Sequence, residues 1–518
     1  MTARAQALRN TMFSSVGIYT EYFLGMLTSI FIARHLGPTD YGAYSAIIWL
    51  VAMGVAITNA GTASAVIKFV AELRGSGRED LIASTINYLR HAQRWFLLAV
   101  LVATGLMLLL AGQHVAPGFN HWLLFGFLAL GVALRSQYMF NVGIAKGFEN
   151  FRAIAIVASI ATPINLGMVV LAWTLDAKVE ALLVVFLISG AIFYGVSRYQ
   201  TVRLIPPSPT DVVLPTEFMR RLRRHMRLVA VTVTIGFFAA SEVEVFFLNM
   251  FGTAAAAGHF KVAYLLASGA AMLVPGVISA LLLPMMANAL SQGRDVAGRR
   301  FVASTTYLAL LAAPLVGFGA VFCVPIIGFM YGAQYAPAAP VFAACLFACA
   351  LSTVSQSGSS LLISADRQIT ILVLVILCGV IKVSLDVILI RAYGLGGATI
   401  AYVAAAMFGA TANLILALRM IGMQPNWVRL ARIILAAALT ALVVMPLRGH
   451  WPPLPTLIVA GLVTVPVYAV LTLLLKCWSS EDIEHLAQLH RRFAGGRPRV
   501  FGRLLAWSGR SVARDQAR

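Results

Sequence analysis

Apolar residues in this chain neither alternate nor recur at every third or fourth position; they run in blocks separated by short polar turns. About 20 predominantly apolar residues is the length of one helical crossing of a bilayer. Fourteen such blocks occur, at approximately 12–33, 42–71, 95–112, 122–141, 153–173, 179–197, 228–250, 262–285, 303–330, 338–363, 369–390, 394–418, 430–447 and 455–475. The first is long, carries Glu21 at mid-depth and has no small-residue cleavage pattern, so it reads as a spanning helix and not as a cleaved leader. The pattern predicts an all-α polytopic membrane protein of 14 transmembrane helices.

The order of the blocks implies a duplication. FIARHLGPTDYGAYSA, from Phe31 to Ala46, joins the first two, and an altered copy, FFLNMFGTAAAAGHFKVAY, returns from Phe246 to Tyr264. Gly37, Gly42 and Tyr44 are echoed by Gly252, Gly258 and Phe260 with one residue inserted. A second pair, AKGFENFRAIAIV (Ala145 to Val157) and ISADRQITILVLV (Ile363 to Val375), sits at equivalent places in the two halves. PPSPTDVVLPTE, from Pro206 to Glu217, divides them. Both halves start on the same side, which predicts parallel repeats about an axis along the membrane normal. The expected organisation is an N-lobe of helices 1–6 (1–200), a cytosolic linker (201–227), a C-lobe of helices 7–12 (228–421), helices 13–14 (422–477) and a basic cytosolic tail (478–518).

Composition excludes a soluble globule, since 60% of residues are hydrophobic, only 11% are charged and the mean hydropathy is +0.86. A net charge of +20 would otherwise raise nucleic-acid binding, but here its placement matters more. With the amino terminus inside, 31 of the 39 Lys and Arg fall in cytosolic segments, five in outward loops, and three, Lys68, Arg135 and Lys382, within helices. That asymmetry puts both termini in the cytosol and makes inner-leaflet lipid, not nucleic acid, the partner of the basic residues. The densest runs are Phe218 to Arg227 and the tail from Ser479. In the tail, Ser479 and Asp482 form a capping box for a short helix presenting Ile483, Leu486, Leu489 and Phe493, and RVFGRLLAW follows it. The tail reads either as a docking surface for lipid or a partner, or as a topology determinant with a loose end. Cys323, Cys345, Cys349, Cys378 and Cys477 lack metal-ligand spacing and read as buried free thiols.

Charges inside spanning helices are costly against lipid and are candidates for function. They are Glu21, Lys68, Arg135, Glu242, Glu244, Lys382 and Asp386. Lys68 lies in a long segment and either faces a cavity or reaches the cytosolic interface. Arg135 is near mid-helix, as a cavity cation or half of a structural pair. Glu242 and Glu244, two positions apart on one helix, point about 200° apart and do not share a cavity. Lys382 and Asp386 stand one turn apart, where mutual neutralisation competes with a cavity role. Pro163, Pro275, Pro284, Pro314 and Pro325 fall within predicted spans and permit bends.

ARHLGPTDYGAYS after helix one, AKGFENF before helix five, MYGAQYAPAAPVF (Met330 to Phe342) and RAYGLGGATIAYV (Arg391 to Val403) together resemble a known family. It is the polysaccharide transporter, or oligosaccharide flippase, family of the multidrug/oligosaccharidyl-lipid/polysaccharide exporter superfamily, over roughly residues 8–475. The resemblance implies two six-helix lobes around a central cavity. It also implies translocation of a polyprenyl-diphosphate-linked oligosaccharide across the bacterial cytoplasmic membrane for surface polysaccharide synthesis, by alternating access. Other polysaccharide-assembly proteins are then expected partners, and H+ or Na+ an expected coupling ion. Arg135 is the candidate for the diphosphate and Glu21 for its neutralisation or for ion uptake. Two alternatives stay open: a multidrug or small-organic-cation antiporter of the same superfamily, and a membrane glycosyltransferase or polymerase. Short, charge-poor outward loops and the absence of GxxxxGK[ST] and HExxH motifs speak against the enzyme and against direct ATP use, and no cofactor is expected.

Overall fold

The computed structural model describes residues 3–115, 120–206, 212–240, 242–273, 275–423, 426–479, 482–484 and 487–488. These form α-helices joined by short turns, with no strand among the described residues. The helices are α1 (Ala3–Asn59), α2 (Thr62–Gly75), α3 (Ile82–Val115), α4 (His121–Gly147), α5 (Phe151–Thr174), α6 (Val179–Val202), α7 (Thr216–Ala240) and α8 (Val243–Phe251). There follow α9 (Ala254–Leu273), α10 (Pro275–Ser291), α11 (Arg294–Tyr331), α12 (Ala338–Ser364), α13 (Gln368–Ile421), α14 (Trp427–Val444) and α15 (Pro453–Leu474). Leu110, Trp122, Leu123, Ile369, Leu462 and Val465 are among the most exposed side chains, an exterior suited to lipid and not to water.

Ten of the described helices are long and apolar enough to cross a bilayer, or eleven if the pair Thr216–Ala239 and Val243–Phe251, bent by 58°, is one broken span. α1 and α13 each consist of two limbs that meet at a non-helical glycine, where the sequence predicts a junction between two spans. α1 turns at Gly37 (φ 73°, ψ 174°) and α13 at Gly394 (φ 53°, ψ −125°). At about 1.5 Å per residue, neither fits a hydrocarbon layer about 30 Å thick as one straight crossing. Pro325 has the effect expected of it: Phe322, three residues earlier, leaves helical geometry (φ −103°, ψ 18°), because the ring displaces the preceding turn. All five cysteines are free.

The chain divides into two compact units, residues 1–261 with 375–398, and 262–374 with 399–518. In the first, α2, α3, α4 and α7 enclose Phe69, Val70, Ile82, Ile86, Leu89, Phe140 and Ile144. The basic run opening α7 joins this core through Leu222 and Met226, four apart on one face, while Arg221 turns outward to Glu72 at 2.9 Å. In the second, Leu282, Met286, Phe301, Leu308, Leu361 and Ala417 form a separate core.

The two stretches of the second sequence pair close their helices with the same turn. After α4, the N–H groups of Glu149 and Asn150 donate to the carbonyls of Lys146 and Ala145; after α12, those of Asp366 and Arg367 donate to Ile363 and Leu362. Glu149 (φ 54°) and Asp366 (φ 57°) both take the left-handed cap of this turn, a position that usually selects glycine. Glu149 and Asp366 hold the same place in the two turns, one residue off the ungapped comparison of the stretches, and Asp176 and Lys476 close α5 and α15 in the same way.

The capping box of the tail is formed. Asp482 N–H donates to Ser479 Oγ at 3.2 Å, and Ser479 N–H to Asp482 Oδ2 at 2.9 Å. Tyr307 Oη also donates to Asp482, and Arg429 Nη2 approaches its Oδ2 at 3.3 Å. Ile483 is buried, whereas Leu486, Leu489, Phe493 and RVFGRLLAW lie outside the described residues. Burial alone would raise the Asp482 carboxyl. The hydrogen bonds from Ser479 and Tyr307, with the Arg429 charge, outweigh it and hold the group below the usual aspartate range. A depressed carboxylate stabilises the fold fully above its ordinary value of about 3.9, and that contribution is lost as the pH falls through the lowered value. Asp482→Asn is therefore expected to cost about 1–3 kcal/mol. It would be read as a lower melting temperature of the detergent-purified protein near neutral pH, with the gap to wild type closing in strong acid.

Candidate functional site

Arg135 sits roughly 20 Å along α4 from its start, a start fixed by Asn120, whose side chain accepts from the N–H groups of Trp122 and Leu123. Seven residues apart on α6, Phe186 and Phe193 share one face, and each places its ring centroid 4.8 Å from the guanidinium. The guanidinium is fixed by ring faces that take none of its donors. Its Nε is buried and has no hydrogen-bond partner among the described residues. Glu21 on α1, Tyr44 and Tyr138 are within electrostatic reach of it, and Glu21 also senses Lys146. Glu21 is exposed and forms no ion pair among the described residues. The structure thus brings Glu21 and Arg135 into one electrostatic neighbourhood without a direct pair.

The four acids and bases farther along the chain are arranged differently from the sequence expectation. Glu242 is not helical but precedes α8, where the span bends, so the angle expected between Glu242 and Glu244 on a continuous helix does not apply. Each has its own lysine: Glu242 pairs with Lys261 of α9, and Glu244 with Lys382 at 3.2 Å. Lys382 therefore makes its short pair with Glu244, in addition to sharing a face with Asp386. Glu244, Lys382 and Asp386 are 0%, 2% and 0% exposed, and neither oxygen of Asp386 has a hydrogen-bond partner among the described residues.

Lys68 is exposed on α2 with its ammonium 5.4 Å from the centre of the Phe69 ring, beside His225 of the basic run. Several groups went unmarked by sequence reasoning. Lys261 is one of the five outward-loop cations of the charge count, and only the fold shows it beside Tyr41, whose hydroxyl bonds Ser29 at 2.6 Å. Gln93 donates to Asn59 Oδ1 at 2.9 Å and to the Ser136 carbonyl at 3.0 Å, and Asn141 to Ser197 at 3.1 Å. Neutral amides inside apolar blocks were the only sequence signal for these.

The two copies of the first motif meet. A Cβ on Gly42 would lie 1.8 Å from the carbonyl oxygen of Ala254, and one on Gly258 would lie 2.1 Å from that of Pro38. Asn249 adds a bond to the Gly42 carbonyl at 3.1 Å. The contact is reciprocal, each glycine facing the carbonyl four residues before the other.

The sequence profile of a family described as polysaccharide biosynthesis protein matches residues 7–290. A search of curated proteins returns no match. Among solved structures, the lipid II flippase MurJ in an inward closed conformation superposes with a TM-score of 0.71 at 14% identity, covering 89% of this chain and 98% of its own. An inward-facing multidrug resistance MATE transporter of the MOP superfamily gives 0.63 at 15%, covering 80% and 98%. A Vibrio cholerae MATE transporter gives 0.56 at 12%, covering 81% and 97%. At these identities the likeness is one of fold.

Proposed function

Because the chain belongs to the polysaccharide biosynthesis protein family and has the fold of MOP transporters, we propose that it flips a polyprenyl-diphosphate-linked oligosaccharide across the bacterial cytoplasmic membrane by alternating access, for surface polysaccharide synthesis. The observation that carries this reading is Arg135, a guanidinium braced by two aromatic rings and bonded to no carboxylate among the described residues. A diphosphate cannot enter hydrocarbon without compensating charge, and a guanidinium meets it with paired, charge-assisted hydrogen bonds. Glu21, in reach but not paired, is suited to balance that charge when substrate is absent or to take up a coupling ion. In this reading no cofactor takes part and the protein is not an enzyme. Its partners are the lipid-linked substrate, membrane lipid and other polysaccharide-assembly proteins.

The antiporter alternative needs an acidic pocket. Glu242 and Glu244 are tied to lysines, and around Arg135 the one acid within electrostatic reach, Glu21, faces two cations, Arg135 and Lys146, a balance that favours the anionic substrate. Reconstituted vesicles decide: flipping of a fluorescent polyprenyl-diphosphate oligosaccharide, and not uptake of a lipophilic cation, is the expected activity. The reverse result would replace this reading with the antiporter.

The limbs on either side of Gly37 and Gly394, with the second limb of α1 and α2, α7–α8 and α9–α10 each taken as one crossing, support the 14-span organisation. That organisation comprises an N-lobe to residue 200, a linker to 227, a C-lobe to 421, two further helices to 477 and a cytosolic tail. The charge asymmetry orients it, with both termini inside. Single cysteines placed at Gln334 and at Ser76 in a cysteine-free background are expected to label from outside and inside respectively. Labelling from one side at both positions would overturn the orientation.

A further inference from the structure

The buried cluster formed by α8 and α13 is not used by the substrate reading above. Glu244 stands in the first turn of α8, just past the 58° bend, and Lys382 and Asp386 are one turn apart on the first limb of α13. All three are in the same compact unit and all three are essentially inaccessible. Two carboxylates share one ammonium. If both were ionised, the cluster would hold an uncompensated negative charge away from water, which is far costlier than binding one proton. Lys382 Nζ stands 3.2 Å from Glu244 Oε1, whereas Asp386 forms no ion pair among the described residues; the oxygens of both carboxylates lack hydrogen-bond partners there. Asp386 is therefore the group left to be neutralised.

We infer that Asp386 is a proton-binding site: its carboxyl holds the proton that neutralises the Glu244–Lys382–Asp386 cluster, and the protein exchanges this proton with bulk water as the bend between α7 and α8 works. A proton fits better than a metal ion. Lys382 already puts a positive charge against the carboxylate a metal would need, and no group of three or more His, Cys, Asp or Glu suited to a metal occurs among the described residues. The charged groups facing Asp386 are Glu244 from α8 and Lys382 from its own helix. Glu242, next along the chain, is occupied by Lys261. α7 packs on the same limb through Ala239 against Gly379, and its residues 228–240 include no titratable side chain. A broken helix with an acid at the break, packed on a buried ion cluster, suits a site that must open and close.

Only the role of the proton in coupling rests on the transporter reading; the protonation itself does not, and infrared spectroscopy tests it without any transport assay. The protein carrying 13C-carboxyl aspartate, purified in sodium-free buffer at neutral pH, is expected to show a protonated-carboxyl stretch that shifts with the label. The band should fade reversibly as the pH is raised. It should be missing from Asp386→Asn, and also from Glu244→Gln, where the ammonium is left to Asp386 alone. No label-sensitive band in the wild type, or a band surviving Asp386→Asn or Glu244→Gln, overturns the assignment. A band unchanged up to the pH of unfolding makes the proton structural and overturns the exchange. A sodium-specific rise in melting temperature that Asp386→Asn abolishes makes the ligand a metal cation and also overturns it. The wild-type label experiment needs no variant, so a variant that fails to fold does not rescue the proposal.

Discussion

Arg135→Ala is expected to reduce flipping per folded molecule by on the order of 100-fold, and Arg135→Lys by roughly tenfold. Hydrogen bonds to a charged group contribute about 1.5–3 kcal/mol each, and about 1.4 kcal/mol is a factor of ten. Alanine removes the charge and the fork; lysine keeps the charge but loses the paired geometry and the flat stacking surface. The braces supply an internal check. Phe186→Leu and Phe193→Leu leave the guanidinium in place but free it to turn, so each should fall between wild type and Arg135→Lys. Glu21→Gln, which alters a neighbour and not the ligand, should change the pH or ion dependence of flipping more than the apparent affinity for substrate. All are measured in reconstituted vesicles with a polyprenyl-diphosphate oligosaccharide, normalised to protein that passes size exclusion as a single species. If Arg135 is only structural, activity and folded yield fall together. Wild-type turnover by folded Arg135→Ala would remove it from the substrate site.

Arg135 also illustrates what a one-dimensional reading can see. Its cost in hydrocarbon singles it out from the sequence alone, but its bracing by Phe186 and Phe193 does not show, because aromatic residues in apolar blocks are ordinary and their pairing depends on how α4 and α6 pack. Glu242 and Glu244 show the opposite limit. Helical arithmetic assumes an unbroken helix, and neither proline nor glycine in the sequence marks the bend between Ala239 and Val243. Once the helix is broken there, Lys261 and Lys382 become available as separate partners. The all-helical membrane fold was legible because a block of about twenty apolar residues has few other fates. The breaks at Gly37 and Gly394 were legible too, each falling at the junction of two predicted spans. The echoed glycines were visible in the sequence, but the close contact that requires them was not.

The second large effect is expected at that pair of glycines. Gly42→Ala and Gly258→Ala should each destabilise the protein by about 1–3 kcal/mol or more, and Gly42→Leu should prevent folding, because the new atom lands on backbone and not on a side chain that can turn away. A Cβ 1.8 Å from the Ala254 oxygen, or 2.1 Å from the Pro38 oxygen, requires the two helices to part by more than an ångström. Parting them also strains the bond from Asn249 to the Gly42 carbonyl. The reciprocity makes a further demand. Since either alanine forces the same separation, the second is introduced into a gap that the first has opened, so the double variant should be much less destabilised than the sum of the singles. Gly167 on α5 and Gly461 on α15 are the controls, for a Cβ on either meets nothing within 4 Å. Alanine at those positions should be neutral or stabilising by about 0.5–1 kcal/mol, the ordinary helical gain over glycine. Melting temperatures in detergent distinguish these cases directly. If Gly42→Ala melts like Gly167→Ala, or if the paired substitutions add without coupling, the two helices do not cross in contact at these residues, and the physical reason offered for the repeated glycines is lost.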